Sequence, residues 1–220
     1  MFMLKSIEEF LYYILEYVAP RRFNFALVKN LNEDDISQLP RADAVVGMDW
    51  IHPIFKYKDY RVKAIIWELK YRQNTLPLEH IGKIIYEEIL PLIYDISLFN
   101  ESAEFLLIPV PITNQRRSER GYNQSEYIAK TVLENDLEHC LLYTPQWLQK
   151  TRETPRQSHS ESKEDRIKNL IGSFEADPRV ENKYIILIDD VVTTGSTLRE
   201  VRKTLMEAGT KEVYAFTIAH

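Results

Sequence analysis

Cysteine is almost missing from this chain: Cys140 is the only one in 220 residues. An internal disulfide needs two cysteines and a thiolate zinc site needs more, so both are excluded; a lone thiol fits a reducing, cytoplasmic setting. Glycine is sparse, with 6 residues, which excludes collagen-like and glycine-rich low-complexity chains. No run of apolar residues is long enough to span a bilayer. The most apolar stretch, "MFMLKSIEEFLYYILEYVAP", is broken by Lys5, Glu8, Glu9 and Glu16 and has no small-residue cleavage site after it, so neither a signal peptide nor a membrane partner is expected. Positive charge is in deficit. A net charge of −5 and a pI near 5.6 argue against strong direct binding to nucleic acid, which needs a basic face to displace phosphate counterions, although a local basic patch stays compatible. Two common phosphate loops, GxxxxGKS/T and GxGxxG, do not occur.

What remains is close to a globular average, with 45% hydrophobic and 28% charged residues, and enough chain for one good-sized core plus a smaller appendage. Phe2, Ile7, Phe10, Leu11, Ile14, Leu15 and Val18 fall near a helical period, predicting an amphipathic docking helix ended by Pro20. Residues 21–50 are weakly patterned and predict loop with short irregular elements. A strand around Ile54–Tyr57, an N-cap at Asp59 and a helix burying Val62, Ile65, Ile66 and Leu69 follow; a second helix is expected over Leu78–Leu92. From Glu104 onward strands and helices alternate: "EFLLIPVP", "NQSEYIAKTVLEN", "CLLYTP", "YIILI", "GSTLREVRKTLMEAG" and "EVYAFTIA". Such alternation implies an α/β fold with a parallel sheet and right-handed crossovers.

The chemistry concentrates in "YIILIDDVVTTGSTLREV", residues 184–201. Four apolar residues run straight into Asp189 and Asp190, at the carboxyl end of a strand, where open parallel sheets hold their ligands. The following Thr193, Thr194, Gly195, Ser196 and Thr197 offer hydroxyls and consecutive backbone N–H groups at a helix start, an arrangement suited to a phosphate dianion. Carboxylates would repel a bare phosphate, so they must face another part of the ligand. A ribose diol beside the phosphate satisfies both halves, and the loop reads as a sugar-phosphate holder. The competing explanation is a threonine-capped helix with two solvated aspartates at a strand end.

Two basic stretches lie nearby in sequence. Arg116, Arg117 and Arg120 follow a strand end, where guanidinium groups can meet pyrophosphate, with a solvated loop as the alternative. Residues 149–169 carry Lys150, Arg152, Arg156, Lys163 and Arg166 and almost nothing apolar, predicting a mobile lid over a charged intermediate, or a plain surface loop. His159 in that stretch reads as a solvated histidine rather than a general base.

"IILIDDVVTTGST" resembles the signature of the type I phosphoribosyltransferases, which bind phosphoribosyl pyrophosphate. The resemblance implies that Thr193–Thr197 hold the 5-phosphate and that Asp189 and Asp190, as the catalytic pair, hold the ribose hydroxyls. "LLIPVPITNQRRSERGYNQSEYIAK" and "KTRETPRQSHSESKEDRIKNLIGSF" resemble segments of the ComF competence-protein family, matched at Arg120, Gly121, Tyr122, Asn123 and Gln124 and at Arg152, Thr154, Gln157, Arg166, Asn169 and Phe174. Under this resemblance Arg116, Arg120, Lys150 and Arg152 are the pyrophosphate and lid candidates. Residues 1–53 become an N-terminal helix and ribbon-equivalent region, and 54–220 a phosphoribosyltransferase domain, with 54–100 as a helical hood and 104–220 as the α/β core. Family members commonly begin with a cysteine-paired zinc ribbon, but "APRRFNFALVKNLNEDD" has no cysteine, so no zinc is expected there.

The reaction implied is attack of a nitrogen acceptor on the anomeric carbon with loss of pyrophosphate, with Mg²⁺ carried by phosphoribosyl pyrophosphate rather than by a protein metal site. The implied partners are a helicase-like and a recombination-mediator protein of DNA uptake. Two alternatives stand beside this: a non-catalytic sugar-phosphate-binding scaffold of that machinery, and a nucleobase salvage phosphoribosyltransferase.

Overall fold

In the computed structural model, residues 20–72, 77–152 and 170–220 are described. The expected docking helix over residues 2–18 and the lid beyond Arg152, His159 included, lie outside the described residues.

The strands are β1 (Ile51–Phe55), β2 (Phe105–Pro109), β3 (Leu141–Tyr143), β4 (Leu148–Lys150), β5 (Phe174–Ala176), β6 (Tyr184–Val191) and β7 (Glu212–Ala219), of which β6 and β7 are the richest in β-branched and aromatic residues. Five of them make one wholly parallel sheet in the order β1-β7-β6-β2-β3. β4 and β5 pair antiparallel as a separate ribbon. The helices are α1 (Pro20–Lys29), α2 (Glu33–Ser37), α3 (Tyr60–Arg72), α4 (Leu78–Phe99), α5 (Asn114–Arg120), α6 (Gln124–Leu133) and α7 (Ser196–Glu207).

The strand pleat divides the core in two. Ile186 and Ile188 of β6 join Leu107 and Phe216 against α3, α4 and α6, while Ile185 and Leu187 join Leu106 and Ile108 against α7 and the ribbon. Burial on both faces is why "YIILI" is continuously apolar instead of alternating. Truncating any of these side chains to alanine costs about 2–5 kcal/mol through lost transfer energy and the cavity left behind. α4 and α6 approach closely at Gly82, where a Cβ would stand 2.6 Å from the carbonyl carbon of Thr131. Glycine there lets the two helices touch.

The α/β alternation and the parallel sheet agree with the sequence. Three details differ. The first strand lies at Ile51–Phe55, a few residues earlier than expected. Residues 20–29 are helical, where loop with short irregular elements was expected from residue 21 onward. α4 continues past Leu92 to Phe99 because Pro91, on its exposed side, does not end it. Ile36, Leu39, Val45 and Met48 are buried in the two cores, and α3 and α4 form part of the layer on one sheet face. Among the described residues, no helix is long and apolar enough to cross a membrane.

Candidate functional site

β6 runs further than its apolar residues, through Asp189 and Asp190 to Val191, because its backbone stays paired: Asp189 is in register with Thr217 and Val191 with Ala219 of β7. On the other side β2 ends earlier. Pro109 pairs with Ile188, Val110 N–H donates to the Ile188 carbonyl at 2.9 Å, and the chain then leaves the sheet. The departure of β2 opens space beside the two aspartates. This is the carboxyl end of the sheet, where sequence position 1-7-6-2-3 changes direction.

Both carboxylates are half-buried and held. Asp189 Oδ1 accepts from the Asp190 N–H at 2.9 Å and from the Ser125 hydroxyl at 3.0 Å. Asp190 Oδ1 accepts from the Val191 N–H at 2.7 Å, and its Oδ2 lies 3.0 Å from Lys70 Nζ. Burial first, and the charge of Asp190 second, raise the Asp189 carboxyl well above the ordinary carboxylate range; the Asp190 N–H, the Ser125 hydroxyl and the Lys70 charge pull the other way.

The loop after β6 turns sharply into α7. Gly195 takes φ +68°, and a Cβ on it would stand 2.7 Å from Met48 Sδ, so the backbone sign asks for glycine, while the methionine tip can shift. Thr194 Oγ1 and Ser196 Oγ are 2.9 Å apart, the Ser196 N–H points to Thr194 Oγ1 at 3.4 Å, and Arg199 Nη2 donates to the Thr194 carbonyl at 2.8 Å. Asp189 and residues 191–198 line a concavity of about 40 Å³ at the start of α7. Thus Asp189, Thr193, Thr194, Gly195, Ser196 and Thr197 line a single small hollow, with Asp190 beside it. Polar hydroxyls, helix-start N–H groups and adjacent carboxylates can hold an anion and a diol side by side.

The basic candidates are more dispersed. Arg116 is half-buried in the first turn of α5, directly after the exit of β2, and its N–H bonds the N-cap Thr113. Arg117 is committed elsewhere, with Nη2 2.6 and 2.5 Å from the two carboxylate oxygens of Glu126. Arg120 ends α5, and its side chain lies outside the described ones. Lys150 Nζ sits over the Phe174 ring at 5.2 Å on the β4–β5 ribbon, and Arg152 is exposed just beyond it.

Two residues that touch the aspartates carry no sequence signal of their own. Lys70 arrives from the last turn of α3, and Ser125 from the first turn of α6. The expected "RGYNQ" stretch explains Ser125: Gly121 closes α5, the Tyr122 hydroxyl bonds the Leu69 carbonyl, and Asn123 caps α6 through the Ser125 N–H while bonding the Val110 carbonyl. These contacts tie the ends of α3, β2 and α6 together around the carboxylates. The motif is therefore largely a positioning device.

Residues 146–220 match the phosphoribosyl transferase domain family. The chain is 32% identical over 116 residues to the DNA utilization protein YhgH of Escherichia coli O157:H7, covering 51% of this chain and 48% of that protein. It is likewise 32% identical over 115 residues to the competence protein ComFC of Streptococcus pneumoniae (strain ATCC BAA-255 / R6), covering 52% and 48%. The chain thus spans about half the length of these curated relatives. A solved hypoxanthine phosphoribosyltransferase from Staphylococcus aureus aligns at 13% identity and a TM-score of 0.35 over 63% of this chain and 62% of that one, too slight a likeness to bear on the site. The chain is thus an α/β protein with a parallel sheet, similar over about half its length to ComFC and YhgH, and its residues 146–220 match the phosphoribosyl transferase domain family.

Proposed function

We propose that the chain binds phosphoribosyl pyrophosphate at the end of β6 and transfers its phosphoribosyl group to a nitrogen acceptor. The observation that carries this is one strand-end hollow lined by Asp189 and a hydroxyl-rich helix start, with Asp190 beside it. Thr193–Thr197 take the 5-phosphate, and Asp189 and Asp190 take the ribose hydroxyls. To do so Asp190 releases or shares Lys70, which then stands as a cation beside the sugar.

The acceptor nitrogen forms a bond to the anomeric carbon as the bond from that carbon to pyrophosphate breaks. Pyrophosphate leaves with the electron pair, and the acceptor gives up its proton to solvent or to the departing anion. An oxocarbenium-like transition state asks for position and charge compensation more than for a strong base. In this reading Lys70, in the last turn of α3, and Arg116, in the first turn of α5, supply that compensation. The oxygens of Asp189 and Asp190 are the hard donors Mg²⁺ accepts, and Mg²⁺ carried by the substrate would neutralise leaving-group charge.

The likeness to proteins named for competence and DNA utilization supports a place in that work; helicase-like and recombination-mediator partners are part of this proposal. Pyrophosphate release is the test of turnover. The chain is mixed with phosphoribosyl pyrophosphate, Mg²⁺ and a panel of purine and pyrimidine bases and amines, and release above the acceptor-free rate is expected with one of them. Tight binding without release would reduce the function to that of a sugar-phosphate-binding scaffold.

A further inference from the structure

A larger hollow lies behind the strand-end loop, on the outer side of α7. It encloses about 560 Å³ and is lined by Gly47, Met48, Trp50, Arg199, Arg202, Lys203, Met206 and Glu207. That volume falls in the range of small-molecule sites. Three cations face a single carboxylate there, in a chain whose net charge is −5. Among the described residues, Lys203 pairs with Glu207 at 3.8 Å, joining side chains that are 57% and 68% exposed, so the pair holds Lys203 only weakly.

Part of the wall is formed by Trp50 and Arg202. The Arg202 guanidinium lies over the Trp50 ring at 5.0 Å, and its Nε is buried with no hydrogen-bond partner among the described residues. A buried donor without an acceptor is costly. Met206, at 40% exposure, extends the apolar part of this wall. A guanidinium over an indole offers a planar heteroaromatic ring a surface to lie on, and Arg199 and Lys203 stand one turn apart beside it. A second, smaller hollow of about 330 Å³ shares Arg199 and Lys203 and continues to Thr194 and Ser196.

We propose that this groove is a second ligand site, distinct from the strand-end hollow, for a mononucleotide whose base stacks on the Arg202–Trp50 surface and whose phosphate meets Arg199 and Lys203. The assignment is independent of the function given to the loop. Arg199 also holds the Thr194 carbonyl, and Met48 backs Gly195, so the groove touches the phosphate loop from behind.

Calorimetric titration of the full chain with AMP tests this, with inorganic phosphate and adenosine as half-probes. AMP is expected to bind at least about tenfold tighter than either half, since each contributes only part of the contacts. Arg202→Gln with Lys203→Gln should weaken AMP by about tenfold or more and leave phosphoribosyl pyrophosphate binding unchanged. Asp189→Asn with Asp190→Asn should leave AMP binding intact. Should the double variant on α7 fail to fold, tryptophan fluorescence decides: AMP must change the emission of the wild-type chain but not of Trp50→Phe, in which Trp67 and Trp147 remain. An AMP titration without heat, AMP binding indifferent to the α7 variant, or AMP binding lost with the aspartates would each overturn the proposal.

Discussion

Replacing Lys70 by methionine tests how the carboxylate pair is balanced. Lys70 and Asp190 have side chains 26% and 15% exposed and lie 3.0 Å apart. Breaking a fully buried pair costs about 3–5 kcal/mol, whereas exposed pairs contribute about 0.2–1 kcal/mol, so this partly wet pair should cost about 1–2 kcal/mol. Methionine keeps the aliphatic stem, so packing changes little. The loss should depend on pH. The folded pKa of Asp189 is raised above its unfolded value of 3.8, so the native state binds the proton more tightly than the unfolded chain. Stability from this group is therefore fullest below the unfolded value and declines as pH rises through the raised folded value. Lys70 is one of the groups that hold that folded value down. Without it the window of decline reaches to higher pH, and the variant should lose more at pH 8 than at pH 5. Urea denaturation at both pH values gives the comparison; equal losses, or none, would refute this account of the pair.

Gly195→Ala should cost about 1–2 kcal/mol through the positive φ alone, seen as a melting temperature lower by about 2–4 °C per kcal/mol. Tyr122→Phe removes the hydroxyl that bonds the Leu69 carbonyl and should cost about 1 kcal/mol in urea denaturation; an unchanged midpoint would mean that water replaces it. EDTA should leave the melting temperature of the ligand-free chain unchanged, while Mg²⁺ with phosphoribosyl pyrophosphate should raise it by linkage. Stoichiometric zinc in protein purified without a histidine tag would contradict the first half.

The β6 loop was legible in the sequence because its parts are contiguous: a strand, two acids and a helix start need no tertiary information to be joined. Helix faces such as Val62, Ile65, Ile66 and Leu69 were legible for the same reason, since one period defines them. Lys70 was not, because an exposed-looking lysine at a helix end acquires its meaning only when α3 packs against the sheet beside Asp190. Ser125 lies 64 residues from the aspartate it bonds. The ribbon strands β4 and β5 are three residues each, too short to show alternation. In residues 36–48, Ile36, Leu39, Val45 and Met48 are spaced irregularly, so their burial follows from where the chain is drawn across the core rather than from any period.

The central claim is that Asp189 and Asp190 hold the ribose of phosphoribosyl pyrophosphate. Calorimetric titration of the wild-type chain and of Asp189→Asn with Asp190→Asn, both with Mg²⁺, tests it most directly. With charge-assisted bonds of about 1.5–3 kcal/mol each, the double variant should bind tenfold or more weakly while keeping its fold by circular dichroism. Equal affinity in the two proteins would contradict the account.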